Sequence, residues 1–177
     1  LGHVGFSRCR YLAAEGARLV VSDINQEGVE RAVRDLDAKA VGTGEILGAE
    51  AEVFAPCALG AVIDDASIET LKAKVVAGSA NNQLAEPRHG EMLRERGVLY
   101  APDYVINGGG LINISYESQI AGASYDKAKA FAHIARIGDT LTQSFELAGR
   151  EGIGTPLAAD GVAQSRFSGP GRPKADD

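Results

Sequence analysis

Apolar residues recur along this chain in two rhythms. Short runs rich in β-branched side chains alternate with longer stretches whose apolar positions repeat every three to four residues. Residues 3–15 predict a helix, with Val4, Cys9, Leu12 and Ala13 among its apolar positions and Gly16 as its stop. The run 18–22 reads as a short buried strand. Residues 26–36 predict an amphipathic helix carrying Val29, Ala32, Val33 and Leu36 on one face. Further strands are expected near 40–41 and at 52–55, 74–77 and 97–100, with helices at 64–72 and 87–96. Strands separated by helices imply an α/β fold with a parallel sheet. After Pro102 only helical rhythm continues, and helices are expected at 107–122, 125–149 and 156–166. The Gly-, Pro- and charge-rich end, 167–177, is expected to be a disordered tail beyond a domain of residues 1–166.

Composition narrows this picture. Aromatics are 6% of the 177 residues and Trp is absent, so the core must be built from Ala, Val, Leu and Ile. A formal charge of -6 disfavours nucleic acid and anionic membrane surfaces as partners. No apolar run approaches the roughly 18 residues that a spanning helix requires. The two cysteines, Cys9 and Cys57, sit in apolar segments and fit reduced thiols, so a cytoplasmic location is expected. The chain opens on Leu1-Gly2-His3-Val4-Gly5 with neither a methionine nor a preceding strand. A fragment whose boundary falls inside a motif is therefore expected.

That motif is the dinucleotide loop. Gly2 and Gly5 have the spacing of the last two glycines of G-x-G-x-x-G. One glycine lets backbone approach a pyrophosphate, the other lets helix and strand pack closely, and the first N–H groups of the helix face the phosphates. Asp23 ends a strand 21 positions after Gly2, where a carboxylate can bind the adenosine ribose hydroxyls. Its charge repels a 2′-phosphate, which favours NAD over NADP. Taken alone, Asp23 reads equally well as a cap for the helix that follows. With the glycines it predicts a Rossmann-type, doubly wound parallel sheet, its first strand truncated, followed by C-terminal helices. Three later loops, 56–60, 78–82 and 103–110, each follow a strand. In open parallel sheets such loops share the rim where ligands bind, although each alone also reads as a tight connection.

The strings 55–60 (APCALG), 80–84 (ANNQL) and 100–110 (YAPDYVINGGG) resemble the NAD-binding domain of the Glu/Leu/Phe/Val dehydrogenases, closest to the leucine and valine members. The resemblance runs from residue 1 to about 166. It implies reversible oxidative deamination of a branched-chain L-amino acid to the 2-oxo acid, ammonium and NADH, by a homo-oligomer of two-domain subunits. It implies that Gly2, His3, Val4 and Gly5 hold the diphosphate, and that Asp23 and Ile24 flank the adenosine. Cys57, Ala58 and Leu59 lie beside the nicotinamide ribose, and Ala80, Asn81 and Asn82 bound the nicotinamide. Asn107 is implied to lie near both substrate and nicotinamide amide, with Leu111 and Ile114 lining the side-chain pocket. The family's catalytic lysines and aspartate belong to its other domain, so no residue here is given that role, and the chain alone is expected to be inactive. Spacing i, i+3 puts Leu111 and Ile114 on one helical face, which fits a pocket wall or plain core packing. An apolar wall disfavours glutamate, because a desolvated carboxylate is costly. Gly108 and Ser115-Tyr116-Glu117 depart from the leucine and valine pattern. Phenylalanine or glutamate dehydrogenase, and a non-catalytic NAD-sensing module, therefore stay open as alternatives.

Other polar residues are left in bland roles. His3 and His89 are expected at the surface and His133 in helix packing. Cys57 is expected to be a packed thiol, and Asp64-Asp65 a helix start. No His/Cys spacing suggests a metal site.

Overall fold

A computed structural model describes residues 1–117 and 125–167. Helix α1 (His3–Ala14) leads into β1 (Val20–Val21), α2 (Gln26–Leu36) and β2 (Lys39–Ala40). A 3-10 turn, Ile46–Gly48, precedes β3 (Val53–Phe54), α3 (Asp65–Thr70), β4 (Val75–Val76), α4 (Arg88–Glu95) and β5 (Leu99–Tyr100). Helices α5 (Asp103–Ile106), α6 (Gly109–Glu117), α7 (Lys127–Ala135), α8 (Ile137–Glu151) and α9 (Thr155–Phe167) follow. The expected α/β alternation is present. Strand pairing is parallel throughout, in two groups: β1 with β2, and β3–β4–β5 in that order.

Each group has its own core. Phe6 of α1 joins Val21, Val29, Ala32 and Ala38 in the first. Ile63, Ile68, Leu71, Val76, Leu93 and Tyr100 make the second. Fully burying a side chain such as Leu93 or Ile63 contributes about 1.5–3 kcal/mol, so these few residues decide the stability of the domain. Helix α1 spans both groups. Its Phe6 sits in one core, while Arg8 Nη2 donates to the Ala77 carbonyl at the end of β4 at 2.7 Å.

Several expectations need correction. The strands are two residues long where all but the one near 40–41 were expected to run four or five, although flanking residues still bond across, as the Ala77 N–H does to the Phe54 carbonyl at 2.9 Å. Val33 does not share the buried face of α2, being 42% exposed; Val29 and Ala32 carry the packing. The single helix expected over 125–149 is two, broken at Arg136, whose N–H closes a tighter bond to His133. Gly138, a poor helix former, follows at once. The helix expected over 107–122 begins at Gly109, after a separate short helix α5; its last five residues lie outside the described residues. The expected tail lies outside them too, except Phe167, which closes α9. Helices α8 and α9 pack on each other, and each buries small residues, Ser144 and Ala148 on one and Ala158 and Ala159 on the other. Thr155 Oγ1 donates to the Tyr100 carbonyl at 2.6 Å and ties this pair to the end of β5.

His89 is the largest correction, at 1% exposure. Its charged neighbours suggest surface, yet its ring turns inward and Nδ1 accepts the Glu86 N–H at 3.0 Å. That bond fixes the neutral ring as the Nε2–H tautomer. Around it, Arg88 donates to both oxygens of Asp65 at 2.7 and 2.6 Å and to Glu86 at 3.0 Å, so the starts of α3 and α4 are clamped together. Hydrogen bonds from Arg88 hold the carboxyls of Asp65 and Glu86 below their ordinary range, and the Ser67 backbone N–H does the same for Asp64, which caps α3 as expected. A carboxyl that titrates lower when folded contributes fully above the unfolded carboxylate range, near pH 4, and loses that contribution as pH falls through the folded value. We expect the urea midpoint to fall between about pH 5 and pH 3. Asp65→Asn should flatten that slope, and an unchanged slope would show that the clamp contributes nothing.

Candidate functional site

At the start of α1, Gly2 occupies the N-cap position in extended conformation, with no side chain capping the first turn. Its N–H groups therefore stay open to an external acceptor. The two glycines have separate tasks. A Cβ on Gly2 would meet no atom within 4 Å, whereas one on Gly5 would lie 3.4 Å from Cys57 Cβ. Gly2 leaves room for a ligand, and Gly5 lets α1 settle on the loop after β3. His3 and Val4 are both exposed beside them.

Asp23 stands just past β1 and is not the cap of α2. That role falls to Asn25, whose side chain accepts from the Gly28 N–H at 3.3 Å. Asp23 Oδ1 accepts the Asn25 N–H at 2.9 Å, which fixes the carboxylate, and Oδ2 faces the Leu1 amino group. A carboxylate offers about four acceptor positions, so two ribose hydroxyls can still be served. Ile24 beside it is 90% exposed, an apolar surface free to lie against a flat ligand ring.

The loops after β3, β4 and β5 do share one rim, joined by bonds that sequence spacing did not disclose. Asn107 Nδ2 donates to the Ala80 carbonyl at 2.9 Å and to Asn81 Oδ1 at 3.4 Å. The Ala80 carbonyl also receives Gln83 Nε2 at 2.8 Å, from a side chain that is wholly buried. Asn82 donates its N–H to Asp103 Oδ2 at 2.6 Å, and its carbonyl accepts the Ala61 N–H at 2.6 Å. Cys57 is half-buried and its Sγ accepts from Ser79 Oγ at 3.1 Å, as a packed thiol would. Ala58 and Leu59 are exposed on the same edge. Tyr100 and Gln83 lie outside the loops expected at this rim, and Asp103, inside the expected 103–110 loop, takes a bonding role that was not foreseen. The sequence offered only a signal for Asp103, an acid one residue after a proline, which reads as an ordinary helix start.

Leu111 and Ile114 are 76% and 56% exposed, so core packing does not explain them. They form an apolar step on α6 beyond Asn107. Two cavities lie among neighbouring elements. One of about 470 Å³ lies between Phe54 and α3, and one of about 260 Å³ lies among α5, α7 and Arg166. His133 is exposed and meets Tyr116 edge-on at 5.9 Å. No group of His, Cys, Asp and Glu able to hold a metal forms among the described residues, and none of their helices is long and apolar enough to cross a membrane.

Comparison with known proteins identifies the family. The family model for glutamate/leucine/phenylalanine/valine dehydrogenases matches residues 10–151. Leucine dehydrogenase of Thermoactinomyces intermedius is 50% identical over 94% of this chain, and that of Bacillus cereus 48% identical over 95%. These matches cover 44% and 45% of those proteins, so the chain spans just under half their length. The crystal structure of L-tryptophan dehydrogenase from Nostoc punctiforme superposes with a TM-score of 0.89 at 42% identity, over 94% of this chain and 49% of that one. Hetero-hexameric glutamate dehydrogenase from Thermus thermophilus, at 21% identity and a TM-score of 0.61, shares the fold. The chain belongs to the glutamate/leucine/phenylalanine/valine dehydrogenase family, and its fold is the α/β, Rossmann-type fold of an amino-acid dehydrogenase.

Proposed function

We propose that this chain is the NAD-binding part of an enzyme that oxidatively deaminates a branched-chain L-amino acid to the 2-oxo acid and ammonium. The observation that carries the reading is the rim itself: Asn107 bonded to the Ala80 carbonyl, with the bare apolar pair Leu111 and Ile114 one helix further on. A protein that only sensed the dinucleotide would have no use for an exposed apolar step beside a fixed amide. In this reading the N–H groups behind Gly2 hold the diphosphate and Asp23 clasps the adenosine ribose. The segments Cys57–Leu59 and Ala80–Asn82 bound the nicotinamide. Held there by Gly2, Asp23 and the two loops, the dinucleotide would supply a hydride acceptor for oxidation of the substrate.

The chain's own residues orient and exclude. Asn107 spends its two N–H groups on Ala80 and Asn81, which turns its Oδ1, free of any bond among the described residues, toward a donor such as a carboxamide. Leu111 and Ile114 face an aliphatic side chain and reject a carboxylate, whose desolvation no partner here offsets. Proton transfer at the amine is assigned to groups outside this chain, which spans just under half of the relatives it matches. Oligomeric assembly and a cytoplasmic setting belong to the same reading.

The test is a panel of L-leucine, L-valine, L-phenylalanine, L-tryptophan and L-glutamate offered with NAD to the complete polypeptide, reading NADH absorbance. Leucine or valine should give the highest kcat/KM, and glutamate a far lower one. The 177-residue chain alone should give no turnover. NADH from none of the five, or turnover by the chain alone, would sink the reading.

A further inference from the structure

We propose that Asp103 is a positioning residue for the nicotinamide side of the rim, one carboxylate holding two loops at their working height; this rests on the reading of the rim given above. An acid at the start of a helix ordinarily accepts from that helix's own N–H groups. Asp103 does not. Its Oδ2 accepts the Asn82 N–H at 2.6 Å, and its Oδ1 accepts the phenol of Tyr100 at 2.9 Å. Tyr100 is 1% exposed and anchored in the main core, and its hydroxyl also accepts the Asp103 N–H at 3.3 Å, so the carboxylate has little freedom.

The hold passes from Asp103 to both loops. Asn82 sits at φ +52°, in the left-handed region that asparagine tolerates better than most residues. From there its carbonyl accepts the Ala61 N–H at 2.6 Å, and Ala61 is itself at φ +57°. A Cβ on Gly60 would lie 2.8 Å from the carbonyl oxygens of both Asn81 and Asn82, so the two loops are in contact and cannot shift independently. Asn81 and Asn82 close one side of the proposed nicotinamide pocket and Ala58 and Leu59 the other. Releasing Asn82 therefore loosens both walls and leaves Asp23, at the adenosine end, with its own bonds intact.

The complete polypeptide is to be titrated with NADH and with ADP-ribose, which lacks the nicotinamide, as wild type, Asp103→Asn, Tyr100→Phe and Asp23→Ala. Asp103→Asn keeps the shape but puts an amide where acceptors are needed. It should weaken NADH about tenfold and leave ADP-ribose within about twofold, the scale of one charge-assisted hydrogen bond. Tyr100→Phe, which keeps the packing, should act in the same direction by about threefold. Equal weakening of both ligands would mean a general loss of structure, and no change would mean an idle contact; either overturns the proposal. Loss in Asp23→Ala without a differential in Asp103→Asn overturns it while sparing the NAD reading. Failure of the wild type to bind NADH removes both.

Discussion

Replacing Asp23 with alanine is expected to weaken NADH binding by the complete polypeptide about 30- to 100-fold, and to abolish its preference over NADPH. A carboxylate accepting two ribose hydroxyls makes charge-assisted hydrogen bonds worth about 1.5–3 kcal/mol each. Alanine lets water take over part of that, so a net loss of about 2–3 kcal/mol is reasonable, which is the stated factor. The discrimination rests on a larger quantity. A 2′-phosphate placed about 4 Å from the carboxylate is repelled by about 4 kcal/mol per pair of unit charges at an effective dielectric constant of 20. Removing Asp23 takes that penalty away from NADPH while taking hydrogen bonds away from NADH, so the ratio should move further than either affinity. The same substitution frees the Asn25 N–H, which costs the start of α2 a contact but leaves the Asn25 cap in place. Calorimetry with both cofactors, together with a melting curve, separates the two consequences. A ratio that stays put while the fold is intact would remove Asp23 from the site.

What the sequence disclosed and what it withheld divide along one line. Helix α2 was found at its observed bounds because its rhythm of apolar positions is local, while the Asn25 cap and the left-handed Asp37 that bound it come from the structure. The shared rim was expected because loops after parallel strands lie along one edge of the sheet. What was hidden depends on which loops become neighbours. Asp103 reads as a helix start until the 80–82 loop is beside it. His89 lies in a charged string, Arg88-His89-Gly90-Glu91, and only the turn at Glu86 and the closeness of Pro156 to Gly90 show why its ring turns inward. Val33 fits the apolar stripe of α2 by count, but the core there is narrow and takes in Val29, Ala32 and part of Leu36. In each case a tertiary neighbour, absent from any local window, outweighs the local pattern.

That same dependence on neighbours makes Gly78 the most tightly enclosed glycine among the described residues, and Gly78→Ala is expected to disable the site through packing alone. A Cβ there would collide with the Pro56 carbonyl oxygen, ring and nitrogen together. None of these is the movable end of a flexible side chain, so the ends of β3 and β4 must separate. Those ends are bonded, the Ala77 N–H to Phe54 at 2.9 Å and the Ala80 N–H to Pro56 at 2.9 Å, and both bonds would be strained together. Overpacking of a tight interior costs about 1–3 kcal/mol, occasionally more, and two displaced ladder bonds place this case at the upper end. Because Pro56 leads into Cys57–Leu59 and Gly78 into Ala80–Asn82, the displacement falls on both proposed nicotinamide walls. NADH affinity should therefore drop at least tenfold even in whatever fraction stays folded. Gly149→Ala supplies the control: it lies in α8 with nothing within 4 Å of the added carbon, and should raise stability by about 0.5–1 kcal/mol with binding unchanged. Urea unfolding and an NADH titration of the two variants test the contrast. If Gly78→Ala unfolds and binds like Gly149→Ala, the close approach of these loops is not what holds the rim together.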